Sequence, residues 1–184
     1  MARVVEIPVE PLTEESFRPF GAIVGAPATP APFRLGTMET WKTPFEVAGD
    51  VEMTICRYQR EPVEWSRMER HLAVTQAFLP LAGVATVMCV APPSDETDPA
   101  AAPPPEAMRA FRMGGATGVM LWRGTWHALR RFPIAAPFAD IVLLTGRETQ
   151  AEIERAAAGG PATRLTHEVD YAERFGVRFA AIGL

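Results

Sequence analysis

Residues 75–91 read TQAFLPLAGVATVMCVA, a stretch of seventeen residues without a single charged side chain. Pro80 and Gly83 divide it into two short apolar runs, at 75–79 and 84–90, and this punctuation is typical of neighbouring β-strands. The stretch is too short and too interrupted for a membrane-spanning helix, which needs about 20 predominantly apolar residues. It therefore predicts two buried strands joined by a tight turn.

The same pattern of short strand-like runs recurs along the chain. In the run at 51–58, Val51, Met53 and Ile55 alternate with more polar residues, as in a strand with one buried face. Further runs of this kind lie at 4–7, 20–24, 108–113, 119–123 and 139–145. Short strands at turn-punctuated intervals favour an all-β sandwich or barrel over βαβ units.

Two short helices are predicted beside the strands. Thr13 and Ser16 have the spacing of a capping box, and residues 148–158 are rich in helix formers and stop at Gly159. We expect a single domain over 1–184 that is mainly β. Residues 91–107 are proline-rich and predict a mobile loop, and residues 148–176 predict a C-terminal helical extension.

Composition excludes several classes of function. The 184 residues include 18 Lys and Arg against 22 Asp and Glu, for a formal net charge of −4, so no basic excess favours a nucleic-acid or anionic membrane partner. A small anionic substrate stays open, because local arginines can outweigh a weak global charge. The N-terminus has no signal-peptide pattern, and Cys56 and Cys89 lack CxxC spacing. We expect reduced thiols and a cytoplasmic location.

Two of the three histidines lie in informative surroundings. Glu69-x-His71 is followed by four residues, Gln76, six residues and Gly83. This segment resembles the first motif of the cupin superfamily, G-x5-H-x-H-x3,4-E-x6-G, with Glu69 at the first His position and Gln76 at the Glu position. His167, near the C-terminus, lies among charged residues and is expected to be an ordinary surface residue.

The second informative histidine is His127. Gly124-x-x-His127 resembles the core of the second cupin motif, G-x5-P-x-G-x2-H-x3-N, with Trp122 at the proline position and Arg131 at the final Asn. In cupins the two motifs lie on facing strands of a small antiparallel barrel, or jelly roll, and aim side chains into its mouth. The resemblance therefore implies a cupin-type barrel with Glu69, His71, Gln76 and His127 around one cavity.

This quartet also suggests a metal site. Imidazole and carboxylate groups bind divalent ions such as nickel, zinc or manganese, whereas an amide is a weak ligand. One hypothesis is that Glu69, His71, Gln76 and His127 hold such an ion. The alternative is that the histidines orient a substrate or satisfy buried hydrogen bonds.

Within the cupins, the chain resembles the ureidoglycolate lyase family. The resemblance rests on PLT at 11–13 with FRPFG at 17–21, ERH at 69–71, TQAFLPL at 75–81, RAF at 109–111, GV at 118–119 and RGTWH at 123–127. It implies a homodimeric carbon–nitrogen lyase that splits ureidoglycolate into glyoxylate and urea during allantoin degradation, a part of purine metabolism.

That reaction would assign roles to particular residues. A base takes the substrate hydroxyl proton and an acid protonates the departing urea nitrogen, and His127, His71 and Glu69 are the catalytic candidates. A cation must hold the carboxylate, and Arg109 and Arg123 are the candidates because the guanidinium fork matches a carboxylate.

Roles can also be predicted for two further residues in the motif segments, Gln76 and Arg70. Gln76 would hydrogen-bond the ureido group. Arg70 lies between Glu69 and His71, so on a strand it points to the opposite face and is expected to be structural or at a dimer interface.

Two other functions stay open at this point. Ala128 and Leu129 stand where family members often carry His-Pro, which bears on the identity of the substrate. One alternative is a non-catalytic cupin that binds a small carboxylate. The other is a metal-dependent cupin enzyme that acts on another small hydroxy acid.

Overall fold

The structure is a computed structural model that describes residues 2–27, 29–161 and 163–184. Within these ranges the chain forms sixteen strands, three α-helices and a 3-10 turn at Pro105–Ala107. The strands are β1 (Arg3–Pro11), β2 (Gly21–Val24), β3 (Phe33–Leu35), β4 (Met38–Thr40), β5 (Val51–Gln59), β6 (Glu64–Trp65), β7 (Arg67–His71), β8 (Gln76–Pro80), β9 (Thr86–Ala91), β10 (Arg109–Met113), β11 (Gly118–Leu121), β12 (Trp126–Ala128), β13 (Phe132–Pro133), β14 (Phe138–Gly146), β15 (Thr166–Asp170) and β16 (Val177–Ile182). The helices are α1 (Glu14–Phe17), α2 (Arg147–Ala157) and α3 (Tyr171–Phe175). The expectation of a mainly β, cupin-like fold is confirmed.

Two sheets make up the body of the fold. The larger has the strand order β15-β7-β12-β9-β10-β1-β16-β6, with β13 also paired to β9. The smaller has the order β2-β11-β8-β14-β5, and β3 and β4 form a separate hairpin. The strands of the smaller sheet are all antiparallel to their neighbours, whereas β1 runs parallel to both β10 and β16.

The strand β9 shows why the opening stretch carries no charge. All six of its residues are buried. Met88 and Val90 join an apolar cluster that also includes Phe78, Phe111 and Ile141, contributed by both sheets. The alternate residues of β9 join a second cluster on the other face of the larger sheet. A strand covered on both faces has no position at which a charge would reach water.

The same alternation sets the orientation of the strands that carry the motifs. Met68 on β7 and both Trp126 and Ala128 on β12 belong to the second cluster, on the outer face of the larger sheet. Because successive residues on a strand point to opposite faces, Glu69, His71 and His127 face the space between the sheets. The local sequence thus turns its titratable residues inward.

The predicted capping box and second helix are both present. The Thr13 side chain accepts a hydrogen bond from the Ser16 backbone N–H, and the Ser16 hydroxyl oxygen accepts one from the Thr13 backbone N–H. Helix α2 starts one residue before the predicted segment and ends within it. The rest of the predicted helical extension differs, because residues 166–170 form strand β15 against β7 and only the five residues of α3 are helical after it.

The proline-rich segment after β9 is tied to the larger sheet. Arg70 is fully buried on the outer face and donates hydrogen bonds to the carbonyls of Ser94, Asp95 and Asp98. Tyr171 donates to the carbonyl of Pro103. Arg70 therefore has a structural role, as expected: its hydrogen bonds attach this loop to the larger sheet.

Among the described residues, no helix combines the length and the apolar character that crossing a bilayer requires.

Candidate active site

Three neighbouring strands of the larger sheet bring the site together. Glu69 on β7 lies directly opposite His127 on β12, and His71 lies opposite Thr166 on β15. Cross-strand partners have Cβ atoms about 4.5–5.5 Å apart, so this register fixes the side chains as neighbours. The resemblance had implied facing strands for the two motifs. They are instead adjacent and antiparallel, because β12 pairs directly with β7.

The carboxylate of Glu69 lies between the two imidazoles. Its Oε1 is 3.8 Å from Nε2 of His71 and 3.8 Å from Nδ1 of His127. The two imidazole rings have centroids 5.1 Å apart and are tilted by 49°. Both histidines are buried, and the Glu69 side chain is 16% exposed. These three residues form a compact acid–base cluster, here called the Glu-His-His cluster.

Hydrogen bonds hold both rings and set the tautomer of His127. Nδ1 of His127 lies 3.1 Å from the carbonyl oxygen of Ala128. A carbonyl only accepts, so Nδ1 carries the proton and Nε2 of the neutral ring has a free lone pair. This buried Nε2 has no hydrogen-bond partner among the described residues. His71 is held differently, with Nδ1 2.8 Å from Oγ1 of Thr166.

A tight turn positions His127. Gly124 has φ +76°, a left-handed conformation that glycine adopts without strain, and its N–H donates to the carbonyl of His71 at 2.8 Å. A Cβ at this position would lie 2.7 Å from Oε1 of Glu96. Thr125 then donates its hydroxyl to the carbonyl of Phe20 at 2.9 Å. The turn therefore ties the start of β12 to the end of β7.

Burial dominates the electrostatics of the cluster. It raises the pKa of Glu69 to about 7, although the nearby Arg131 guanidinium opposes the shift. Burial, reinforced by Arg131, lowers the pKa of His71 to about 3 and holds the pKa of His127 well below its ordinary value. At neutral pH the imidazoles are uncharged, while the carboxyl group is poised near its titration point.

Gln76 lies on the facing sheet, on β8. Its amide nitrogen donates to Oγ1 of Thr145 at 3.2 Å, whereas its buried Oε1 has no partner among the described residues. The side chain therefore offers one free acceptor. It remains a substrate-binding and metal-ligand candidate on that ground.

Neither Arg109 nor Arg123 forms a hydrogen bond with a residue of the Glu-His-His cluster. The Arg109 guanidinium pairs with both carboxylate oxygens of Glu10, on the neighbouring strand β1. Arg123 is exposed and donates from Nε to the carbonyl of Leu72 at 2.8 Å. Both guanidinium groups thus already have protein partners.

Sequence reasoning did not select Arg131 as a site residue. The structure shows it to be a buried cation whose charge influences all three residues of the cluster. It is 1% exposed, and its charge acts on the pKa of Glu69, His71 and His127. Burial raises the pKa of the Tyr58 phenol to about 12; the charge of Arg131 opposes this shift and that of Glu69 adds to it. The one signal for Arg131 in the sequence was its place at the Asn position of the second cupin motif.

The Glu-His-His cluster fits a divalent metal ion by donor type. Each residue offers one ligand atom, and these atoms lie within 4.8 Å of one another. Two imidazoles and a carboxylate suit zinc, nickel or manganese, and a ligating histidine commonly donates its other nitrogen to a backbone carbonyl, as His127 does. The positive charge of Arg131 would weaken the binding of such an ion.

Comparison with known proteins identifies the family of the chain. Residues 4–163 match the family model for ureidoglycolate lyase. A ureidoglycolate lyase of Azotobacter vinelandii (strain DJ / ATCC BAA-1303) is 31% identical over 160 residues, covering 82% of this chain and 86% of that protein. Another, of Stutzerimonas stutzeri (strain A1501), is 34% identical over 133 residues, covering 65% of this chain and 71% of that protein. A third, of Burkholderia cepacia, is 35% identical over 127 residues, covering 65% and 68%. Because the family model spans most of the chain, this chain belongs to the ureidoglycolate lyase family.

Proposed function

We propose that this protein is a ureidoglycolate lyase, which releases urea and glyoxylate from ureidoglycolate in allantoin degradation. The observation that carries the proposal is the buried Glu-His-His cluster in a chain of this family. The cluster supplies a free imidazole lone pair beside a carboxyl group that titrates near neutrality. An elimination that moves one proton from oxygen to nitrogen needs such a pair.

The proton balance of the reaction matches two groups of the cluster. The carbon that carries the substrate hydroxyl also carries the carboxylate and the ureido nitrogen. Nε2 of His127 accepts the hydroxyl proton, the oxygen forms the glyoxylate carbonyl, and the carbon–nitrogen bond breaks. Protonated Glu69 delivers its proton to the departing urea nitrogen. The imidazolium then returns a proton to the carboxylate before the next turnover.

The charges created by this step stabilise each other. Proton transfer leaves an imidazolium at His127 and a carboxylate at Glu69, whose Oε1 lies 3.8 Å from Nδ1 of that ring. In a buried site of low effective dielectric, opposite charges at this distance attract strongly. Nε2 of His71 lies equally close to Glu69 Oε1, on the other side of the carboxyl group.

Gln76 offers the substrate a matching acceptor. Its buried Oε1 has no partner among the described residues, and the ureido group carries N–H donors. A buried acceptor left unpaired costs free energy, which a bound ureido group would recover. Substrate binding at this residue is therefore part of the proposal.

A divalent ion, where bound, would be held by Glu69, His71 and His127 and would act as a Lewis acid toward the substrate oxygens. The same lone pairs serve proton transfer in the proposed reaction. We expect protein stripped with a chelator to keep turning over ureidoglycolate, because His127, Glu69 and Gln76 supply the necessary groups.

Metal content, melting temperature and turnover check this expectation together. Mass spectrometry reports the residual nickel, zinc and manganese, and thermal melting reports whether added ions bind. Loss of turnover on stripping, with recovery at one ion per chain, would contradict the expectation.

We also propose that the protein is a cytoplasmic homodimer. Support comes from strand β5, which ends the smaller sheet and exposes Val51, Met53 and Ile55, at 46%, 69% and 57%. Natural proteins commonly cover long apolar edge strands, and a second copy would do so here. Both cysteines are free thiols, which suits a reducing compartment. Light scattering at micromolar concentration should give twice the 20.1 kDa chain mass, and a mass of one chain would contradict the dimer.

The direct test of the function is product release. Purified protein incubated with ureidoglycolate should form urea and glyoxylate in equal amounts, each measured by its own enzymatic assay. Formation of ammonia in place of urea would indicate a different reaction on the same substrate and would overturn the proposal.

A further inference from the structure

Arg131 lies just beyond β12 and reaches back to the Glu-His-His cluster. Its guanidinium carbon sits 4.0 Å from the centroid of the Phe78 ring, which in turn contacts the His127 ring at 6.0 Å between centroids. Nη1 of Arg131 donates to the carbonyl of Ala128 at 2.7 Å. Nδ1 of His127 donates to the same carbonyl, so one backbone oxygen fixes both side chains.

The partners of Arg131 leave part of its guanidinium unused. The hydrogen bonds of the side chain come from Nη1, to the carbonyls of Ala128 and Arg130. The buried Nε has no partner among the described residues, and no ion pair within 4.0 Å joins Arg131 to a described carboxylate. By contrast, the other fully buried arginine, Arg70, uses Nε, Nη1 and Nη2 in hydrogen bonds.

Burying a cation without an anionic partner costs free energy during folding. A bound anion would offset this cost, so the buried Arg131 indicates an anionic ligand. The Nε and Nη2 edge of a guanidinium forms two parallel bonds to a carboxylate. The carbonyl partners of Nη1 carry no net charge, and Glu69, the carboxyl group of the cluster, forms no ion pair with Arg131 within 4.0 Å. The free edge therefore matches a carboxylate on a small molecule bound beside the cluster.

We propose that Arg131 binds the carboxylate of the substrate through its Nε and Nη2 edge, so that the site selects small 2-hydroxy or 2-oxo carboxylates. The identification of that substrate as ureidoglycolate rests on the proposed function. In this arrangement the hydroxyl meets Nε2 of His127, the ureido group meets Oε1 of Gln76 and the carboxylate meets Arg131. Nε2 of His127, Oε1 of Gln76 and Nε of Arg131 are buried and have no hydrogen-bond partner among the described residues.

The test is binding of glyoxylate, the product that retains the carboxylate, to Arg131→Met by calorimetry. We expect its dissociation constant to rise about 10- to 150-fold, the loss expected for a hydrogen-bonded charged group. Arg130→Met is the matched control, because Arg130 is adjacent but exposed and paired with Glu61. It should bind glyoxylate like the wild type.

A neutral probe separates carboxylate binding from a purely structural role. The wild type should prefer glyoxylate to its amide, and this preference should vanish in Arg131→Met. Should that variant not fold, Arg131→Lys decides, since it keeps the charge but loses the planar fork and should bind glyoxylate more weakly than the wild type.

The outcomes distinguish this inference from the proposed function. Unchanged glyoxylate affinity or an unchanged preference over the amide in the folded Arg131 variants overturns the role of Arg131, as does a wild type that does not bind glyoxylate. Arg131-dependent glyoxylate binding in a protein that releases no urea from ureidoglycolate supports the role of Arg131 and removes the proposed reaction.

Discussion

Replacing His127 with Asn is expected to lower kcat for ureidoglycolate by about 10²–10⁴-fold, with a smaller effect on KM. The buried Nε2 of His127 is the free lone pair that takes the hydroxyl proton, and an Asn amide can hydrogen-bond but cannot carry that proton. Steady-state kinetics of urea release measure the effect.

His167→Asn is the matched control for this substitution. His167 lies on β15 and contacts the outward Arg70, away from the space between the sheets. We expect it to leave turnover unchanged. Near-normal turnover by His127→Asn, with a normal melting temperature, would remove His127 as the proton acceptor and leave the reaction to Glu69 and His71.

Replacing Glu69 with Gln is expected to lower kcat by about 10²–10⁴-fold as well. Glutamine has nearly the same shape, so the packing between the two imidazoles is preserved. It cannot deliver a proton to the urea nitrogen or become the carboxylate that stabilises the His127 imidazolium. The measurement is kcat, with melting temperature recorded on the same preparation.

Glu168→Gln provides the control for Glu69. Glu168 lies directly across from Glu69 on β15, but it is exposed and pairs with Arg67. The same loss of one negative charge at this position should lower kcat far less than Glu69→Gln does, because it removes only one contribution to the raised pKa of Glu69 and leaves the carboxyl group in place. An equal loss of kcat in both variants would show that overall charge, and not the acid role of Glu69, determines the rate.

Much of the fold could be predicted because apolar runs and punctuation are local signals. The run at 84–90 became β9, and the alternation at 51–58 became β5. The expected buried face of β5 was wrong, because Val51, Met53 and Ile55 lie on its exposed face at the edge of the smaller sheet. Strand β15 was missed because its sequence, THEVD, is polar and has no strand signal of its own. It is extended because β7 offers a free edge for pairing, which is a tertiary effect that a single sequence does not reveal.

The site was predictable where it rested on spacing along one strand. Glu69 and His71 are two residues apart, so a strand necessarily turns them to one face, and His127 followed from the second motif. The arginines were not predictable in this way. Arg109 is engaged by Glu10, 99 positions away in sequence, while Arg131 lies outside any strand of the predicted set and reaches the cluster through its long side chain.

The most direct test of the proposed reaction at the Glu-His-His cluster is single-turnover conversion of ureidoglycolate, followed for urea and glyoxylate together. It compares the wild type with the double variant Glu69→Gln/His127→Asn, using folded proteins of matched melting temperature. The account predicts equal amounts of the two products from the wild type. For the double variant it predicts a loss no larger than about that of either single variant, because the two residues act as one unit. Urea and glyoxylate release by the double variant at the wild-type rate would contradict it, as would a wild type that forms neither product.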